Sequence, residues 1–251
     1  LYVNGAMQDL GILNYPANLG HSEALGVNDG GLAVGYAYAP LWGPDHGFLY
    51  DGQTTLDITP AGQFSFARGV SINNHNLVAG ILIQPGGGSS GFEAATYTQS
   101  GGWVELGVLH DMTESEASDV NENGEVVGRS YDLATQAYRG FIYLNGGMLD
   151  VNNVAVVPVL LTEALDINNI GAFTANADTP GGVVAYVLTP DRGCYANCDR
   201  SSQAPILNIL DFMCFINRFV ERDPYANCTG DGAIDVQDFM CFLNRFVVGC
   251  P

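Results

Sequence analysis

The 251-residue chain has no lysine; its 8 basic residues are all arginine, set against 27 acidic ones, for a formal net charge of -19. Such a surface repels the phosphate backbone and the anionic face of a membrane, which disfavours both as partners, and no nucleic acid is expected. It serves solubility, and divalent cations are its natural counter-charge. No apolar run approaches the roughly 18 residues needed to span a bilayer, so no membrane insertion is expected. No signal peptide is visible either: Leu1 opens directly on strand-like sequence, as expected of a mature or trimmed form.

Signatures of catalysis are also missing. There is no Gly-x-Ser-x-Gly elbow, Walker loop or dinucleotide fingerprint. His21, His46, His75 and His110 show no metal spacing. The stretch Gly86–Gly91 lies between two strands rather than before a helix, and reads as a flexible loop. Glu114 and Glu116 are a carboxylate pair of the kind glycoside hydrolysis uses, but the polar run Thr113–Ser118 reads better as a solvated loop. A non-enzymatic protein is expected, with a hydrolase as the least favoured reading. Trp42 and Trp103 are candidate sugar-stacking residues, with packing as their competing role.

Cysteine is absent from residues 1–193, and all six (Cys194, Cys198, Cys214, Cys228, Cys241, Cys250) fall in the last 58 residues. An even count in so short a segment reads as a disulfide framework and an oxidising, extracellular or cell-surface location. Zinc is the rival, but only Cys194 and Cys198 are close together and the segment lacks histidine.

What is present is repetition. A strand, an asparagine turn and a second strand recur at Ala24–Gly35, Val70–Gly80, Ser118–Gly128 and Leu165–Thr174, with anchor residues Asn28, Asn73, Asn121 and Asn168. A second unit alternates with the first, placing Tyr50, Tyr97, Tyr143 and Tyr186 in equivalent strands, followed by short strands such as Thr55–Ile58, Trp103–Leu106 and Met148–Val151. Asn and Gly supply the positive φ of tight hairpins, and alternating flanks mark half-buried strands. The prediction is a mainly β domain over residues 1–190, a propeller-like array of about four four-stranded repeats. The pieces His46-Gly47-Phe48, Asp9-Leu10-Gly11 and Asp119–Gly128 resemble the HAF extracellular repeat family. That resemblance implies a fold and no reaction. Glu93, Arg139 and Gly182 stand where the family's histidine would be, which argues against histidine chemistry.

Leu1–Gly11 matches the last half of a repeat, and the fourth copy reaches Pro190 without its final strand. Pairing between the two would close a ring within one molecule, the favoured arrangement, or link molecules head to tail into a filament. Self-association through Leu1–Gly11 is the partner expectation that follows.

Residues 191–251 hold a second, tandem repeat. Ile209–Phe219 matches Val236–Phe246, each an amphipathic helix preceded by a loop. The second loop places oxygen donors Asn227, Thr229, Asp231, Asp235 and Asp238 at EF-hand positions 1, 3, 5, 9 and 12, Gly232 at 6 and the Ala233 carbonyl at 7. A helix-capping Asx turn is the competing reading. The first loop offers Asn197, Asp199, Ser201, Asn208 and Asp211 around a three-residue insertion, a poorer Ca2+ set. The segment resembles a cysteine-rich dockerin module, which implies calcium and a protein partner bound through the paired helices. Six cysteines allow 15 pairings; the twofold repeat suggests that the unmatched Cys194 and Cys250 clamp the ends. The leading expectation is a calcium-stabilised extracellular structural protein. The alternative is an adhesive or carbohydrate-binding module attached through its tail.

Overall fold

The structure, a computed structural model, describes residues 2–3, 6–7, 13, 20–38, 45–60, 66–83, 91–155, 158–189, 195–199, 207–229 and 232–249. Trp42, Cys194, Ser201, Asp231 and Cys250 lie outside these residues. The chain divides into two compact units, residues 1–189 and 190–251.

The first unit is a succession of antiparallel meanders. Strands β3 (His21–Val27), β4 (Ala33–Tyr38), β5 (His46–Tyr50) and β6 (Thr55–Asp57) form the first sheet in sequence order. The second contains β7 (Phe66–Ile72), β8 (Val78–Ile83), β9 (Phe92–Thr98) and β10 (Gly102–Gly107). The third contains β11 (Glu114–Val120), β12 (Val126–Asp132), β13 (Ala137–Leu144) and β14 (Gly147–Asp150). The fourth has three strands, β15 (Leu161–Ile167), β16 (Phe173–Thr179) and β17 (Gly182–Leu188). A short helix α1 (Val151–Val154), capped by the Asp150 carboxylate on the Asn152 N–H, follows the third sheet where the sequence pattern places only the end of a strand.

One local device sets each repeat. The residue three after the anchor asparagine has positive φ every time: Gly31 at 79°, Asn76 at 62°, Gly124 at 76° and Gly171 at 74°. Only Gly and Asn adopt that conformation at little cost. A bulge then interrupts each first strand pair, between Ala24 and Gly26, Gly69 and Ser71, Ala117 and Asp119, and Ala164 and Asp166. It presses a carbonyl against the neighbouring strand, so a Cβ at Gly35, Gly80 or Gly128 would lie 1.9, 2.3 or 2.1 Å from it. The fourth repeat carries Ala175 at this position, in a pair with a second bulge between Leu161 and Glu163.

Successive sheets pack face to face. Val34, Leu49 and Ile58 of the first repeat meet Ile72, Val78 and Tyr97 of the second. Ala79, Ala94 and Leu106 meet Ala117, Val120 and Phe141, and then Val127, Ile142 and Val151 meet Leu161, Ile167 and Phe173. A buried Val, Leu, Ile or Phe side chain contributes about 1.5–3 kcal/mol, so these junctions supply the unit's main apolar driving force. An asparagine ladder ties them together. The side-chain amide of Asn28 donates to the Asn73 carbonyl at 3.1 Å, Asn73 to Asn121 at 2.8 Å, and Asn121 to Asn168 at 3.0 Å. Asn28, Asn73 and Asn121 are buried, whereas Asn168 is exposed.

Two expectations change. No ring closes among the described residues: β1 (Tyr2–Val3) pairs with β2 (Ala6–Met7), and β17 is paired only with β16. The pair Tyr2↔Met7 has the same five-residue reach as Tyr50↔Thr55 and Tyr143↔Met148, so the described residues of the half-repeat form the hairpin that the later repeats form. Register also places Leu188, not Tyr186, opposite Phe173 at the position of Tyr50, Tyr97 and Tyr143. By the same register Val184, not Gly182, stands where His46 does.

The second unit contains α2 (Ile209–Val220), a 3-10 turn at Pro224–Ala226, and α3 (Val236–Val248). Its core follows the internal duplication. Phe215 and Phe242 stack at 4.0 Å, Tyr195 and Tyr225 at 4.9 Å, and each tyrosine hydroxyl donates to the other's backbone carbonyl. Arg245 lies over Tyr195 and Arg218 over Tyr225. Disulfides join Cys198 to Cys214 and Cys228 to Cys241, each fastening a loop to its following helix. They fit an oxidising, extracellular environment. Among the described residues no helix is long and apolar enough to cross a membrane.

Candidate metal centre

Each loop of the second unit delivers its last acidic residue to the third position of a helix, where it is fully buried. Asp235 caps α3, its carboxylate accepting from the Gln237 N–H at 2.8 Å. Asp238 answers by accepting the Asp235 N–H on Oδ2 at 2.9 Å, completing a capping box. Its other oxygen, Oδ1, accepts the Thr229 N–H at 2.9 Å and the Thr229 hydroxyl at 2.8 Å. These donors hold the Asp238 carboxyl below the usual carboxylate range, led by the Thr229 N–H.

The consequence is a convergence of oxygens. Thr229 Oγ1 lies 2.8 Å from Asp238 Oδ1 and 3.4 Å from Asn227 Oδ1. Oxygens bound to one calcium at about 2.3–2.6 Å sit at comparable separations from one another. Gly232 takes φ of 83°, the sharp turn required at the loop's sixth position. Thus positions 1, 3 and 12 of the second loop come together, Asp235 borders them as the helix cap, and position 5, Asp231, lies outside the described residues. This donor set fits a hard divalent cation.

The first loop repeats part of the arrangement. Asp211 is buried, accepts the Asn208 N–H at 2.9 Å, and accepts the Asp199 N–H at 3.2 Å. Asn208 caps α2 through the Leu210 N–H at 2.8 Å. Asp199 is therefore brought to Asp211 through its backbone, Asn197 adjoins the same turn, and Ser201 lies outside the described residues. Among the described residues no three Asp, Glu, His or Cys side chains form a metal cluster; the second loop's gathered donors include an amide and a hydroxyl.

Trp103 is engaged in packing. Its indole N–H donates to the Ile58 carbonyl at 2.6 Å, and its ring lies 5.3 Å from that of Tyr97. His46 faces Asp57 at 2.8 Å. The sequence pattern read Asn208, Asp211, Asp235 and Asp238 as ligands, with a helix-capping turn as the competing reading of the second loop; in the structure both pairs form capping boxes. No protein-family model and no curated protein matches the chain.

Proposed function

We propose that the protein is a non-catalytic extracellular or cell-surface structural protein whose C-terminal unit is stabilised by calcium. The observation that carries this reading is the convergence of Asn227, Thr229 and Asp238 oxygens around the turn at Gly232. Asn227, Thr229, Asp231, Asp235 and Asp238 would hold the ion with the Ala233 carbonyl, and the first loop would hold a second, weaker one. Two disulfides and an acidic, lysine-free surface are consistent with this location. The apolar side chains of Ile209, Met213, Val220, Val236, Met240 and Val247 are exposed on the paired helices, which suits an attachment surface for a protein partner. The repeat unit supports the structural part of the reading: buried asparagines tie each of its four repeats to the next. A propeller-like arrangement, and self-association by strand complementation between the half-repeat Leu1–Gly11 and the last repeat, belong to the same proposal.

Titration calorimetry of the full chain tests it. At least one Ca2+ site that disappears in Asp238→Ala is expected; heats indistinguishable from dilution in the wild-type protein refute the reading.

A further inference from the structure

The junction between the third and fourth sheets carries a groove and differs from the first junction in the residues that face it. At the first junction, Arg68 of the second repeat lies 4.6 Å over the ring of Tyr36 and donates to Asp45 at 2.8 Å. The residue equivalent to Arg68, five before the anchor asparagine, is Glu163 in the fourth repeat. Eight and ten residues after the anchor, repeats one to three carry Tyr36 and Tyr38, Ile81 and Ile83, and Arg129 and Tyr131; the fourth carries the shorter Asn176 and Asp178. A groove of about 250 Å³ lies here, lined by Arg129, Tyr138, Glu163, Asn176, Asp178 and Val183 among others. It is close to the lower end of the about 300–1,000 Å³ typical of small-ligand sites.

We infer that this groove binds a neutral saccharide. The Tyr138 ring is partly exposed, stacks on Tyr131 at 5.4 Å and has the Arg129 guanidinium 5.7 Å from its centre, so it is a braced apolar face for the C–H side of a sugar ring. Arg129 is itself fixed by Glu116 at 2.7 Å and Glu163 at 3.4 Å. Beside it, the Asp178 carboxylate and the Asn176 side-chain amide have no hydrogen-bond partner in the chain among the described residues. A carboxylate offers acceptors and an amide offers both a donor and an acceptor, the pairing that sugar hydroxyls need. Other ligand classes fit less well. Glu116 and Glu163 pair with the one guanidinium and Asp178 lines the same groove, on a chain of net charge -19, which repels anions. That guanidinium in turn repels a metal ion from Glu163. The inference goes beyond the structural reading and depends on neither calcium nor self-association.

Calorimetry of the full chain with cello-, laminari-, manno- and maltohexaose tests it. At least one should bind with Kd between about 10 μM and 1 mM. Tyr138→Ala or Asp178→Ala should weaken that binding at least about tenfold, a 1.4 kcal/mol effect, while His110→Ala leaves it unchanged. Asp178 is exposed, so its variant keeps the test decisive should Tyr138→Ala unfold. Absence of binding by all four at about 10 mM, or binding unchanged in both groove variants, overturns the proposal.

Discussion

Replacing Asn73 by alanine isolates what the ladder contributes. Asn73 is buried and makes three side-chain bonds: it donates to the Asn121 carbonyl at 2.8 Å and accepts from the His75 and Leu77 N–H groups at 3.0 Å each. The Asn121 carbonyl keeps the Gly124 N–H at 3.1 Å, so it is not orphaned. The Leu77 N–H loses its acceptor in a partly buried place. At about 1 kcal/mol per bond, plus a partial desolvation penalty, the cost is about 2–4 kcal/mol. Asn168 supplies the internal control. It accepts the same two turn bonds, from Ile170 at 3.1 Å and Ala172 at 3.0 Å, but it is exposed and sits at the end of the ladder. Asn168→Ala should therefore cost only about 1 kcal/mol, because water replaces much of what is lost. Urea unfolding followed by circular dichroism compares the two at constant m. Equal losses at both positions would show that the asparagines act only within their own turns, and the ladder would have no energetic role.

Two further outcomes follow from the repeats. Gly128→Ala forces a Cβ to within 2.1 Å of the Glu116 carbonyl, so it should cost at least about 3 kcal/mol and depress the urea midpoint, whereas Gly146→Ala, at positive φ with open space around it, should cost only about 1 kcal/mol. Glu93 occupies the place held by His46 opposite Asp57 and by Arg139 opposite Asp150, but it faces Glu105; burial first, and then the Glu105 charge, push its carboxyl up. A raised folded pKa favours the neutral form: the stability it gives is complete below the ordinary carboxylate range and is lost as pH rises through the raised value. Glu93→Gln should thus be up to about 1 kcal/mol more stable than wild type at pH 7.5 and lose that advantage at pH 4; unfolding curves whose difference is independent of pH would reject this.

The repeat period was legible because each turn needs a residue at positive φ three places after its asparagine, and only Gly or Asn fills it. What those asparagines do was not. No pattern along one chain tells which carbonyl a buried amide reaches 45–48 residues away. The last hairpin misled for a similar reason. Tyr186 looks like the other tyrosines, but the bulges and turn length set the register, and they put Leu188 there. In the tail, the competing ideas of ligand and helix cap turn out to concern the same atoms. Asp238 completes a capping box with one oxygen and gathers Thr229 with the other, so spacing alone could not separate the two roles.

The calcium claim meets its most direct test in thermal unfolding of the full chain, scanned in excess calcium, in excess magnesium and in chelator. Saturation at about 100 times Kd adds about 2.7 kcal/mol to the unit that binds the ion. That unit should melt several degrees higher in calcium than in chelator, with magnesium reproducing little of the shift. Superimposable scans in all three conditions, or an equal shift with magnesium, would contradict a calcium-stabilised tail.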